Sequence, residues 1–170
     1  AAPSGTGAEV GAEISLSAEL VSHVEPAVPP KVEIGEWAAA DAGNTLHVEK
    51  NGTIEVGETT YTGLKVSWDK TVQTWSYVGA PVTDFDKSKT PKLFVSFYAD
   101  HDIKLGVWGG DAVQTDKRHE SYAAGYHQVS FELTGVTEGL TVLKLYCDSS
   151  ETQTFEGTKT VVFDQILFYD

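Results

Sequence analysis

Apolar and polar residues alternate along most of this chain, the period-2 signature of strands with one face buried. Leu93, Val95, Phe97 and Ala99 alternate with Phe94, Ser96, Tyr98 and Asp100, and Ile103, Leu105 and Val107 with Lys104, Gly106 and Trp108. Val129, Phe131 and Leu133 oppose Gln128, Ser130 and Glu132, and Leu143, Leu145 and Cys147 oppose Val142, Lys144 and Tyr146. The pattern predicts strands over 32–38, 45–50, 53–56, 62–68, 72–78, 92–99, 103–109, 126–133, 140–147 and 160–169. Asn51-Gly52 reads as the two-residue turn of a type I′ hairpin. Asp100, His101 and Asp102 read as a second hairpin turn. No helical pattern follows residue 30. Many short strands with turn signals between them predict an all-β fold, an antiparallel β-sandwich or barrel.

Residues 1–12 are rich in Ala, Gly, Ser and Glu and read as a flexible tail or linker. ISLSAEL at 14–20 alternates as an extra strand would, with a helix through Val10, Ile14, Val21 and Val24 as the competing reading. Pro26, Pro29 and Pro30 break regular structure. The chain thus divides into a tail over 1–30 and a sandwich domain over 31–170.

The polar faces of these strands are unusual. Trp108 shares its face with Lys104 and Gly106. In VQTWSYV, Trp75 and Tyr77 oppose Val72, Ser76 and Val78. An outward face mixing aromatic rings with amides and charges suits a sugar, whose apolar C–H face stacks on a ring while its hydroxyl rim needs polar partners. Trp108, Trp75, Tyr77, Tyr98 and Tyr146 are the candidate stacking residues. Lys104, Asp100, Lys144, Gln128 and Glu132 are the candidate hydroxyl partners. Trp68 shares parity with Leu64 and Val66 and is expected in the core. Trp37, with Tyr122 and His119, marks an alternative site at a loop edge.

Composition narrows the partners. The chain carries 25 acidic and 12 basic residues in 170, a net charge of −13. A surface this acidic repels phosphate, so nucleic acid is excluded as a partner. No apolar run approaches the ~20 residues of a membrane-spanning helix, so no membrane insertion is expected. Cys147 is the only cysteine, which excludes an internal disulfide and a thiolate metal cage. Methionine is absent, which leads to the expectation of a mature or excised piece. The composition suits a secreted or cell-surface bacterial protein, in which this domain would be a monomeric module of a multidomain chain.

Catalytic signals are weak. There is no G-x-S-x-G elbow and no H-E-x-x-H pair. A glycosidase needs two carboxylates at a defined separation, and only Glu132 lies inside a strand on a face where such chemistry is placed. The chain is therefore read as no enzyme, with a small jelly-roll glycosidase and a structural or adhesive sandwich as rival readings. Asp84, Asp86 and Ser88 open like a calcium loop but lack its Gly and closing Glu. Asn51-Gly52-Thr53 fits a glycosylation acceptor, although the hairpin turn explains the same residues.

The run GLKVSWDK…TWSYVGAPVTDFDKSKTPKLFVSFYA and the closing TVVFDQILFYD resemble carbohydrate-binding modules with a galactose-binding-domain-like jelly roll, over roughly residues 32–170. The resemblance implies a non-catalytic module that binds a polysaccharide or oligosaccharide. A glucan is the ligand expected first, starch-like α-glucan ahead of β-glucan, mannan and xylan. It also implies that Asp164 helps hold a structural calcium, with Glu33 or Glu36 as its acidic partner.

Overall fold

The computed structural model describes residues 32–41, 43–110, 115–134, 140–149 and 156–170. The chain divides into two units, Ala1–Pro30 and Lys31–Asp170. The tail and the extra strand expected at 14–20 lie outside the described residues.

Among the described residues the second unit is all β, with two antiparallel sheets packed as a sandwich. The strands are β1 (Glu33–Ile34), β2 (Ala38–Ala40), β3 (His47–Val56), β4 (Thr59–Trp68), β5 (Tyr77–Thr83), β6 (Lys92–Ala99), β7 (Ile103–Gly109), β8 (Glu120–Tyr122), β9 (Gly125–Glu132), β10 (Val142–Cys147) and β11 (Lys159–Tyr169). One sheet has the order β1-β5-β10-β7-β8, with β2 also on β5; the other runs β3-β4-β11-β6-β9. The chain crosses repeatedly between the sheets, the winding of a jelly roll.

Apart from β11, for which no parity was assigned, the core is the set the alternation selected. Leu64, Val66, Trp68, Leu93, Val95, Phe97, Phe131 and Phe163 come from the five-stranded sheet, and Val78, Leu105, Val107, Leu143, Leu145 and Cys147 from the other. Burial pushes the Cys147 thiol upward, with the Asp148 carboxylate adding to it, so the group stays a neutral core side chain. At one end of the core the Lys159 ammonium lies 2.8 Å from Asp148, both buried. Asp148 also accepts from the Trp68 indole at 3.2 Å and the Lys104 amide at 2.8 Å.

Three local expectations are corrected. Asn51-Gly52 is no turn: it lies inside β3, at a register shift between Glu49 and Gly52. The hairpin closes at Gly57, whose φ of 62° suits glycine. Gly52 is needed for closeness instead, since a Cβ there would meet Lys65 Cδ at 2.7 Å. The segment 100–102 is no hairpin either, because β6 and β7 belong to different sheets. Asp100 fixes that corner, accepting from the Thr160 amide and from His101 Nδ1, each at 2.7 Å. Finally, the strand expected over 72–78 begins only at Tyr77. A turn closed by Ser76 N–H donating to Gln73 O precedes it, so Trp75 has no strand parity.

Candidate functional site

The candidate residues fall on opposite outsides of the sandwich. Lys104, Trp108, Lys144 and Tyr146 lie on the outer face of the six-stranded sheet, joined by Tyr77 and Trp75. Tyr98, Gln128 and Glu132 lie on the outer face of the five-stranded sheet. Asp100, at the corner, spends one carboxylate oxygen on the two contacts described above.

On the six-stranded sheet the expectation of a bare indole is overturned: Trp108 is 3% exposed, and Tyr146 and Lys144 are buried too. The reason is Gly106. A Cβ there would stand 2.9 Å from Arg118 O, so the glycine lets the segment 117–119 settle onto the sheet. Trp108 Nε1 donates to Arg118 O at 3.1 Å, the Arg118 guanidinium lies 5.1 Å from the indole, and His119 meets it edge-on. Tyr146 packs against Trp108 and Tyr77, and the Lys144 ammonium sits 4.5 Å from the Tyr77 ring. The space that glycine leaves beside Trp108 is thus filled by the chain itself. The loop-edge alternative is split as well: His119 joins Trp108, Tyr122 packs on Phe97 and His127, and Trp37 is half-buried against the core. Burial, with Glu120 and Asp116 nearby, pushes the Tyr122 phenol up to about 12.

The outer face of the five-stranded sheet is partly exposed, with Tyr126, Gln128, Glu132, Asp164 and Gln165 at the surface and Ser96 and Val162 buried, and its registers order it into rows. Lys65, Val162, Tyr98 and Tyr126 cross the sheet together, followed by Gln165, Ser96 and Gln128. Leu167, Phe94 and Ser130 come next, then Tyr169, Lys92 and Glu132. From Tyr98 to Lys92 the face runs ~20 Å along the strands at a rise of about 3.3 Å per residue. Tyr61, reaching across from β4, lies near-parallel to both Tyr98 and Tyr126, with ring centroids 5.0 Å apart in each case. Tyr126 is 39% exposed.

A β-bulge leaves the consecutive residues Asp164 and Gln165 both on this face. The register of β11 on β6 shifts between Phe163 and Gln165, which leaves Asp164 as the extra residue. Gly63 on β4 makes the bulge possible: a Cβ there would collide with Phe163 O and lie 2.9 Å from Asp164 Cα. Ser96 Oγ donates to Asp164 Oδ1 at 2.6 Å, and the Tyr126 hydroxyl to Oδ2 at 2.8 Å. A carboxylate has about four acceptor positions, so each oxygen keeps acceptor capacity toward solvent. Burial and the adjacent Asp164 raise the Tyr126 phenol, keeping it a donor.

The three carboxylates assigned to calcium do not converge. Asp164 is in the five-stranded sheet and Glu33 in the other, while Glu36 pairs with Lys50 at 3.0 Å. Among the described residues no group of three or more His, Cys, Asp or Glu side chains is placed to hold a metal. Asp86 accepts from the Ser88 amide and hydroxyl, a local turn contact. A separate cleft of about 350 Å³ is lined by Asp102, Lys104, Ser121, Tyr122 and Asp148 among others, next to the buried Lys159–Asp148 pair.

Sequence reasoning missed Tyr61, Tyr126, Gln165 and Tyr169. Tyr126 was within reach, since the parity of Gln128 extends back to it. Tyr61 was not, because its neighbour Tyr98 lies two strands away in a sheet order that the sequence does not spell out.

No family model and no curated protein matches the sequence. Among solved structures, the chain is similar to a glycoside hydrolase family 43 arabinoxylan arabinofuranohydrolase from Bacillus subtilis in complex with cellotetraose, at TM-score 0.43 and 12% identity. That match covers 81% of this chain and 28% of the hydrolase, so the chain spans under a third of that protein's length. It is also similar to CsCBM6-3 from Clostridium stercorarium in complex with cellobiose, at TM-score 0.39 and 11% identity, over 78% of this chain and 93% of that one.

Proposed function

We propose that this domain is a non-catalytic carbohydrate-binding module whose outer five-stranded face holds a segment of polysaccharide. The observation that carries the reading is Asp164, bulged out of β11 and oriented by Ser96 and Tyr126 beside the Tyr61, Tyr98 and Tyr126 rings. Rings and an oriented acceptor together meet both needs of a sugar: an apolar surface for its C–H face and fixed partners for its hydroxyls. Gln128, Gln165, Lys92 and Glu132 extend polar contacts along the strip, which suits an internal stretch of chain.

The two carboxylates of the strip, Glu132 and Asp164, are too far apart to act together as a glycosidase pair. Glu132 is separated from the Ser96 and Tyr126 positions that hold Asp164 by four to six residues along the strands, about 13–20 Å. Glycoside hydrolysis asks for roughly 5–9.5 Å. Each stacked ring contributes on the order of 1–3 kcal/mol if sugars behave as bases do, so affinities of roughly micromolar to millimolar follow for one site. A glucan, with a starch-like α-glucan first, is the ligand we propose on the resemblance described above. Weak single-site binding is useful when the module tethers a larger secreted or surface protein to its substrate.

Electrophoresis through gels containing starch, β-glucan, mannan or xylan tests this. Retardation is expected in at least one gel and is lost in Tyr98→Ala combined with Tyr126→Ala. Unretarded migration in all four gels overturns the proposal.

A further inference from the structure

We infer that Trp75 forms a second saccharide platform on the opposite side of the sandwich, so that one module holds two polysaccharide chains at once; this rests on the carbohydrate-binding reading above. Trp75 is 61% exposed, more than any other large apolar side chain among the described residues. Its backbone is left-handed, at φ 70°. The other non-glycine residues with positive φ are Asn44, Asp84 and Asp148, types that tolerate this region, whereas a bulky aromatic residue does not. The turn would suit glycine, and an exposed ring contributes little to the core. Strain at an exposed, oriented side chain is a feature of functional sites.

The ring is also held. Its turn is fastened by Ser76, whose hydroxyl donates to Asp41 at 2.8 Å and whose carbonyl accepts from the Ser149 hydroxyl. Asp41 in turn accepts from the amides of Gly43, Thr45 and Leu46. The indole meets buried Trp108 edge-on, with centroids 6.0 Å apart and planes at 72°. Arg118 is exposed and lies over the Trp108 ring, 5.1 Å from it, so a planar hydrogen-bond donor packs on the same indole that Trp75 meets. The result is an oriented ring standing on a rigid base, with Trp108 shared between it and the Arg118 guanidinium.

Trp108 belongs to the outer face of the six-stranded sheet and the tyrosine strip to the outer face of the other. Packed sheets are about 10 Å apart, so the two platforms stand back to back and a single straight chain cannot lie on both. Two sites facing away from each other bridge separate chains.

The test compares the full chain with Trp75→Gly and with the Tyr98→Ala, Tyr126→Ala pair. Glycine suits φ 70°, so the first variant keeps the fold. The probes are the four polysaccharides in solution, read by turbidity, and maltotetraose, cellotetraose, mannotetraose and xylotetraose, read by calorimetric stoichiometry. The expected result is two tetrasaccharides per chain and a turbid polysaccharide solution. Each variant then binds one and leaves the solution clear. One site per chain, lost in the tyrosine pair and unchanged in Trp75→Gly, overturns the second platform while leaving the first. One site lost in Trp75→Gly and unchanged in the tyrosine pair overturns the two-platform arrangement and the strip together. Binding of no probe overturns both readings.

Discussion

Comparing Trp75→Gly with Trp75→Ala isolates the backbone strain at this turn. Both variants remove the same indole and the same edge-on contact with Trp108, so those losses cancel in the difference between them. Both keep the Ser76 N–H to Gln73 O bond of 3.1 Å that closes the turn. What remains is the Cβ. Alanine in the left-handed region pays ~1–2 kcal/mol against the following carbonyl. Glycine there pays no such cost but loses about 0.5–1 kcal/mol more backbone freedom on folding. The balance makes Trp75→Gly the more stable variant by about 0.5–1 kcal/mol, the reverse of the order expected at an ordinary position. With a urea slope of about 2 kcal/mol per molar, the midpoints differ by roughly 0.3–0.5 M. Urea unfolding followed by the fluorescence of the remaining indoles measures this. Equal midpoints, or a more stable alanine variant, would refute the assignment of strain at Trp75 and with it the case that a tryptophan is kept there for something other than folding.

Three further outcomes follow from the same geometry. Gly63→Ala drives a methyl into the bulge at Phe163 and Asp164 and should cost ~3 kcal/mol as overpacking, with weaker glycan retardation because Asp164 is displaced. Lys159→Met leaves the buried Asp148 carboxylate without its 2.8 Å partner and should cost about 3–5 kcal/mol in urea unfolding. For Asp41, burial raises the carboxyl, but the Leu46 amide, the Ser76 hydroxyl and the Thr45 and Gly43 amides outweigh it, and the net shift is downward. A lowered folded pKa gives stability that is present above about pH 4 and is lost as pH falls through the folded value. Asp41→Asn should therefore be less stable than the parent at pH 7, and the gap should narrow below pH 4; a gap constant from pH 7 to pH 2 would refute this.

Much of the fold was legible because burial imposes a period on strands. The bounds of β6 and β7 match the runs 92–99 and 103–109, and the core residues of these two strands follow from parity alone. Parity also identified the sheet side on which Trp108 lies, but not its burial, because the covering segment 117–119 comes from a polar loop with no strand pattern. Tyr169 was hidden for a different reason. The bulge between Phe163 and Gln165 shifts the inward set from Val161 and Phe163 to Ile166 and Phe168, so alternation counted from one end of β11 gives the wrong face at the other. The Asn51-Gly52 turn failed because a short-range preference lost to pairing: β3 continues through the dipeptide along β4 and turns at Gly57 instead.

The sequence by itself determined that the described part of this chain is all β, which side chains of most strands form its interior, and that aromatic residues recur on the opposite faces, since each of these depends on neighbours one or two residues away. Only the tertiary structure decided which of those aromatic residues meet water. Strand order and loop placement bring together residues far apart in sequence, so that Arg118 and His119 close over Trp108 while Tyr61, Tyr98, Tyr126 and Asp164 gather on the outer face of the five-stranded sheet.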